Sequence, residues 1–135
     1  MENIQDIIEK IAAVIDTHKL SDGRYARWIT PGKNNRDTGI NPYGCADAAN
    51  ILYTIGRFPS DTAERAEWVK ALREMQNPET GLFNESTHHP IHTTAHCMAS
   101  LELFDAQPLY PAKSLQYTVE PGKLEEFLDS LGWYD

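Results

Sequence analysis

A short stretch that occurs twice decides the fold. Residues 46–52 read ADAANIL, and residues 95–101, 49 positions later, read AHCMASL. A glycine-aromatic turn precedes each copy, DGRY at 22–25 and TGLF at 80–83. This order predicts a repeated helical hairpin that buries its apolar face only by stacking on its neighbours. The alternative is a chance similarity between short helices rich in Ala and Leu.

The remaining apolar pattern predicts five helices and no β-strand of any length. Their expected ranges are about 3–18, 44–55, 61–76, 92–105 and 120–131. The third and fifth helices also align with each other, at an offset of 59, which suggests a second outer helix. In the third helix Asp61 is the predicted cap, and the predicted buried stripe is Ala63, Ala66, Val69, Leu72 and Met75.

The composition is that of a soluble globular chain of one domain. Of its 135 residues, 41% are hydrophobic and 24% are charged. A formal net charge of −8 argues against binding to nucleic acids or to anionic membrane surfaces. The sequence has neither an apolar run long enough for a membrane span nor a signal peptide. We therefore expect a cytoplasmic protein whose two cysteines, Cys45 and Cys97, are reduced and buried.

A second signature surrounds the later copy of the repeat. Residues 76–83 read QNPETGLF, residues 92–96 read HTTAH and residues 99–104 read ASLELF. An outer helix ending in glutamine, a glycine-aromatic turn and an inner helix that begins near Thr-Thr-Ala resemble the hairpin of the α/α toroids, whose inner helix begins near a Thr-x-x-Ala. Among these are the protein prenyltransferase β-subunits, squalene-hopene type terpenoid cyclases and toroidal polysaccharide-active enzymes. The resemblance covers about residues 20–131 and implies an all-α fold, part of an α/α toroid or an open solenoid.

The predicted hairpins make residues 1–135 a single incomplete toroid segment. Hairpin 1 covers about 3–56, hairpin 2 about 60–105, and the outer helix of a third hairpin about 120–131. The toroids that the chain resembles have more hairpins than this. We therefore expect self-association, or contact with a chain region that is missing here, through the apolar faces of the first and last helices.

The histidines mark the most prominent candidate site. Four of the five fall within residues 88–96. His92 and His96 are four residues apart and share a helix face. That spacing can hold a metal ion, yet the glutamate of the zinc-protease motif is missing, so we assign no metal ligand. We expect His88, His92 and His96 to bind a polar substrate or to act as acids and bases, the alternative being capping of the helix start.

The beginning of the second helix contributes Tyr43 and Asp47. Asp47 and His96 are equivalent in the repeat, and facing side chains on adjacent parallel inner helices can come within hydrogen-bond reach. Similarity to the prenyltransferases would make Cys45 a zinc ligand, but Tyr43 stands where their aspartate should be. The Asp-x-Asp-Asp motif of the terpenoid cyclases is absent. Prenyltransferase-like or cyclase-like chemistry is therefore kept only as an alternative.

The loop at 21–43 is the third candidate, since it holds four of the 12 basic residues. These are Arg24, Arg27, Lys33 and Arg36, beside Tyr25, Trp28 and Tyr43. Arginine forks bind carboxylate or phosphate, and aromatic rings stack on sugars. We predict that Arg24, Arg27 and Trp28 bind substrate, the alternative being a solvated loop whose arginines pair with surface acids.

These features predict a domain that processes a polar or anionic small-molecule or saccharide ligand. Toroidal polysaccharide lyases and hydrolases are similar in using His, Tyr and Arg beside a carboxylate, so the resemblance implies carbohydrate activity. The predicted catalytic residues are Tyr43, Asp47, His88, His92 and His96. A non-catalytic interaction module is the alternative, and the sequence identifies no cofactor.

Overall fold

The structure is a computed structural model that describes residues 3–32 and 38–131. Within these ranges the α-helices are α1 (Ile4–His18), α2 (Pro42–Thr54), α3 (Thr62–Glu74), α4 (Pro90–Glu102) and α5 (Lys123–Asp129). A short antiparallel hairpin of β1 (Lys19–Ser21) and β2 (Arg24–Tyr25) follows α1, and a 3-10 helix (Lys113–Val119) precedes α5. The fold is therefore predominantly helical, as predicted. The small hairpin shows that the prediction of no strand was wrong.

Helices α2 and α4 make the most extensive contact between elements. Helix α1 packs on α2, whereas α3 packs on both α2 and α4. The two central helices run parallel, since Asp47 contacts His96 and Asn50 donates to Ser100 Oγ at 2.8 Å. The 49-residue offset of the sequence repeat is thus very nearly the spatial register of this pair. Fully buried small residues, such as Ala49 and Ser100, let the two helices approach closely.

Both glycine-aromatic turns have the same construction. Gly23 and Gly81 have φ of +70° and +73°, a conformation that favours glycine. Each glycine also lies against a neighbouring backbone: a Cβ would come within 2.5 Å of Trp68 Cα at the first turn and 1.9 Å of the Pro111 carbonyl oxygen at the second. The aromatic residue two positions later is buried in each case. The first turn therefore packs closely on the backbone of α3, and the second packs on the backbone at Pro111.

A side chain of the following helix fastens each turn. The Tyr25 amide donates to Cys45 Sγ at 3.3 Å, and the Phe83 amide donates to Thr94 Oγ1 at 2.9 Å. Cys45 and Thr94 are again 49 positions apart. We call this hydrogen bond from the turn to a side chain of the next helix the clamp. Because the two units agree in both the turn and the clamp, a structural repeat is favoured over chance similarity.

The central helices begin earlier than predicted because their caps lie next to prolines. Asn41 accepts from the Gly44 amide at 3.0 Å, and His89 accepts from the Ile91 amide at 3.3 Å. Pro42 and Pro90 then occupy the first turn, where a fixed φ suits a helix and the missing N–H costs nothing.

The predicted buried stripe of α3 is confirmed at Leu72, and Val69 is partly buried against the core, but the stripe is wrong at its two alanines. Asp61 does cap the helix, accepting from the Glu64 amide at 2.9 Å. However, Ala63 and Ala66 are exposed, whereas the helix buries Trp68, Ala71 and Leu72. The Trp68 ring stacks on Tyr25 with centroids 4.8 Å apart. One large aromatic side chain therefore sets the orientation of the helix in place of the alanine stripe.

The alignment of α5 with α3 is not reproduced in the packing. Gly122, at φ +81°, separates Pro121 from the helix, which starts at Lys123 and packs chiefly on the 3-10 helix. Its residues Leu124 and Leu128 are 47% and 40% exposed. In the described ranges no helix is both long enough and apolar enough to cross a membrane.

The cysteines lie as predicted, one on each central helix. Cys45 and Cys97 are free and fully buried. Burial raises the pKa of the Cys45 thiol to about 11, and it also raises the pKa of Cys97. Both side chains are therefore packing groups of the α2–α4 interface.

Candidate functional site

Four of the predicted site residues meet at the N-terminal ends of α2 and α4. Tyr43 and Asp47 occupy successive turns of α2, and His92 and His96 hold the equivalent places on α4. The Tyr43 hydroxyl lies 3.3 Å from His92 Nε2. The Tyr43 ring centroid lies 4.5 Å from that of His96. The parallel register of the two helices therefore places a phenol between two imidazoles.

His88 also contacts the phenol ring. Its ring stacks on Tyr43 with centroids 4.2 Å apart and meets His92 edge-on at 5.3 Å. Its Nδ1 lies 2.6 Å from Glu85 Oε1. Sequence reasoning missed Glu85, although an acid three residues before His88 in a short turn was a usable signal. We call Arg27, Tyr43, Asp47, Glu85, His88, His92 and His96 the histidine cluster.

The contacts of His88 determine which nitrogen carries its proton. Arg27 Nη1 also lies 2.8 Å from Nδ1, but one nitrogen cannot both donate to Glu85 and accept from Arg27. The shorter contact is to the carboxylate, which assigns the proton to Nδ1. Arg27 instead donates to Thr87 Oγ1 at 2.9 Å. In the neutral ring Nε2 then carries the free lone pair.

The Glu85 carboxylate is ionised in this setting. Its side chain is only 1% exposed. Burial is the largest single influence and would raise its pKa, but hydrogen bonds from His88 and Thr87 and the charge of Arg27 together lower it. Glu85 therefore remains available to orient His88.

His96, which also contacts the phenol ring, belongs to a second carboxylate–imidazole pair. His96 Nε2 donates to Asp47 Oδ1 at 2.9 Å, which leaves Nδ1 as the acceptor in the neutral ring. The prediction that the repeat brings Asp47 within hydrogen-bond reach of a histidine is confirmed. The pair is partly solvated, with 46% of the Asp47 side chain exposed.

Close backbone packing brings Arg27 to the cluster. Gly44 has no side chain to keep the Ala26–Arg27 backbone away from α2, since a Cβ there would lie 2.9 Å from both Ala26 C and Arg27 N. The guanidinium then lies 4.6 Å from the centre of the Tyr43 ring and 5.1 Å from that of Trp28. Both predicted residues therefore lie at the site, Arg27 within the cluster and Trp28 beside it.

The other basic candidates are not brought to this site. Arg24 pairs with Glu74 at 2.8 Å and with Glu67 at 3.3 Å on α3, as the alternative of paired surface arginines anticipated. These hydrogen bonds, that of Glu74 first, raise the pKa of Arg24. Lys33 and Arg36 lie outside the described residues. Among the residues that are described, no group of three or more His, Cys, Asp or Glu side chains has the geometry of a metal site.

Two clefts border the cluster. One encloses about 200 Å³ between α1 and α2, and Arg27 and Asp47 form part of its wall. The other has a volume of about 670 Å³ between α4 and α5, and His92 is one of its lining residues. A further cleft of about 510 Å³ runs along α3, where Arg65 and Arg73 are already bonded to groups of the 103–107 segment. Only the first two clefts touch the cluster.

Comparisons of the chain with protein families, with curated proteins and with solved structures find no match. The function is therefore inferred from the geometry of the site.

Proposed function

We propose that the chain binds a small polar or anionic ligand at the histidine cluster and acts on it by acid–base chemistry. The convergence of Tyr43 with three histidines, two of them paired with carboxylates, carries the proposal. Capping of α4 is not a sufficient alternative, because that task falls to the side chain of His89. The other three imidazoles are then free to serve a ligand.

The pairs supply complementary proton carriers. A carboxylate that orients an imidazole leaves its second nitrogen as a base. His88 has this nitrogen at Nε2, whereas His96 has it at Nδ1, so the two rings present different atoms. The Tyr43 hydroxyl can donate to His92 or accept from it. A proton taken by one ring can thus be returned by another group of the same cluster.

The charge of the cluster favours an anion at lower pH. Arg27 contributes one positive charge, and Asp47 and Glu85 contribute two negative charges, so the sum is −1 with neutral imidazoles. Protonation of His88 and His96 changes the sum to +1. The N-terminal ends of α2 and α4 add partial positive charge. Affinity for an anion should therefore fall as the imidazoles lose their protons.

The same features support the proposed ligand class and the proposed wider architecture. The parallel α2–α4 pair, flanked by α1 and α3, supports membership of an α/α toroid or open solenoid. Toroidal enzymes that the sequence resembles act on acidic polysaccharides with similar residue types, so a saccharide acid is the proposed class. A non-catalytic interaction module would use these helices without needing the two oriented imidazoles.

Binding of D-glucuronate, with D-glucose as the neutral control, tests the proposal. We expect glucuronate to shift the imidazole NMR signals of His88 and His92 and to bind more tightly at pH 6 than at pH 8. His96→Ala should reduce the pH dependence, because it removes one of the two charges that protonation adds. Tyr43→Phe should weaken binding, while Tyr53→Phe, at an exposed position further along α2, should change nothing. Equal shifts with glucose, or full binding by both site variants, would return the cluster to a structural role.

A further inference from the structure

We infer that the ligand of this site is an amphiphile, with its anionic head at the histidine cluster and an apolar tail in a groove between α1 and α2. The inference rests on the proposed function for the head and on a separate set of side chains for the tail. Those side chains belong to the apolar face of α1, which the acid–base chemistry does not use.

The polar end of the groove is the cleft beside Arg27 and Asp47. His18 completes its polar wall, and its Nδ1 lies 3.0 Å from the carbonyl oxygen of Ala26. Since a carbonyl only accepts, Nδ1 carries the proton and the neutral ring keeps its lone pair on Nε2. Val14, Ile15 and Ile51 form the apolar part of the same cleft. A head group bound here contacts the cluster from the α1 side.

The apolar end is a second cleft of about 280 Å³. It is lined by Ile7, Lys10, Ile11, Val14, Ile15 and Ile51. The last three also line the polar cleft, so the two form one continuous groove. Together they fall within the roughly 300–1,000 Å³ typical of small-molecule sites. One end thus offers charge and hydrogen bonds, and the other offers aliphatic side chains.

The length of the groove limits the tail. Ile7 and Val14 are seven residues apart on α1, which corresponds to about 10 Å along a helix, enough for an alkyl chain of about eight carbons. Each buried methylene stabilises binding by about 0.8 kcal/mol, or about fourfold in affinity, when burial is complete. Because this groove is open on one side, we expect about twofold per methylene.

A second copy of the chain is a weaker candidate for the occupant. The exposed aliphatic residues of α1, Ile4, Ile7 and Val14, are too few for the roughly 800 Å² per partner of a stable interface. A second copy also leaves unexplained why the groove runs directly into the charged cluster. The continuity with Arg27 and Asp47 favours a ligand that has both an apolar and a charged part.

The experiment combines two heads and two tails: methyl and octyl β-D-glucuronide, with methyl and octyl β-D-glucoside as neutral counterparts, all below their micellar concentrations. We expect octyl glucuronide to bind at least about 50-fold more tightly than methyl glucuronide, and more tightly than octyl glucoside. Equal affinities of the two glucuronides would overturn the amphiphile and leave the proposed function intact. Equal affinities of the two octyl compounds would overturn both.

Two variants of α1 locate the tail. Ile7→Ser should remove most of the gain from the octyl chain while leaving methyl glucuronide binding unchanged, because Ile7 lines only the apolar cleft. Ile4→Ser is the matched control, since Ile4 is 73% exposed on the same helix and does not line the groove. Equal effects of the two substitutions contradict the inference. So does a dimer in sedimentation velocity that Ile7→Ser dissociates, because the groove would then belong to a second copy.

Discussion

The close approach of the first hairpin turn to α3 can be measured with two glycines of nearly identical conformation. Gly23 has φ of +70° and Gly56 has φ of +71°. A Cβ at Gly23 would lie 2.5 Å from Trp68 Cα and 2.6 Å from its backbone nitrogen, whereas a Cβ at Gly56 meets nothing within 4 Å. Alanine at either position carries the same dihedral cost, but only Gly23→Ala also creates a backbone clash.

The expected free energies follow from this difference. The left-handed conformation costs a non-glycine residue about 1–2 kcal/mol, which is the expected loss for Gly56→Ala. Gly23→Ala should lose about 1–3 kcal/mol more, since an overpacked site must move the α3 backbone. The reduced entropy of the unfolded chain stabilises both variants equally and cancels in the comparison.

Urea unfolding followed by tryptophan fluorescence gives the free energy of unfolding of each variant. Trp68 is buried and stacked on Tyr25, so its emission should report directly on this contact. Equal losses in Gly23→Ala and Gly56→Ala would refute the packing of the turn on α3. They would also remove the main reason for treating the two glycine-aromatic turns as equivalent.

Three further predictions concern the core, the cluster and the last helix. Ellman's reagent should label Cys45 and Cys97 slowly in the native chain, because both are buried and the pKa of Cys45 is about 11; rapid labelling of both would contradict the inner placement of α2 and α4. The pKa of Glu85 is lowered from 4.5 on folding, so its stabilisation is present above that pH and is lost as pH falls through the folded pKa. Glu85→Gln should therefore lower the midpoint of thermal unfolding at pH 7 and have less effect at pH 3, and equal effects would argue against the buried ion pairs. Self-association through the exposed face of α5 should be reduced by Leu128→Glu, whereas a monomeric unmodified chain at high concentration in sedimentation would exclude it.

The sequence predicted best those features that local periodicity determines. The α1 stripe alone located its helix to within one residue, because consecutive isoleucines at helical spacing admit one interpretation. The repeat offset predicted the contact between Asp47 and His96. It did so because equivalent residues on parallel neighbouring helices face each other at the same height.

Other features depended on contacts that no local pattern contains. The orientation of α3 is set by Trp68 stacking on Tyr25, 43 residues away, and alanines on the opposite face produced a misleading stripe. Arg24 and Arg27 look alike in the sequence, yet one turns to the acids of α3 and the other to Tyr43. Glu85 is a partial exception: its position three residues before His88 was a local signal, but the burial of its side chain was not readable from the sequence.

The two repeat units share their packing contacts but differ in the side chains that they contribute to the site. The clamp positions Cys45 and Thr94 differ in residue type but make the same bond to the turn before them, so the packing is nearly symmetric. At the N-terminal ends of α2 and α4, equivalent positions hold different side chains. Tyr43 faces His92, and one turn further along the helices Asp47 faces His96. A symmetric scaffold thus places unlike proton carriers at matched heights. The loops then complete the asymmetry, one with a guanidinium and the other with a second carboxylate–imidazole pair. A repeat that only extended a solenoid would not need different side chains at equivalent positions of its two units. We therefore expect function at the N-terminal ends of α2 and α4.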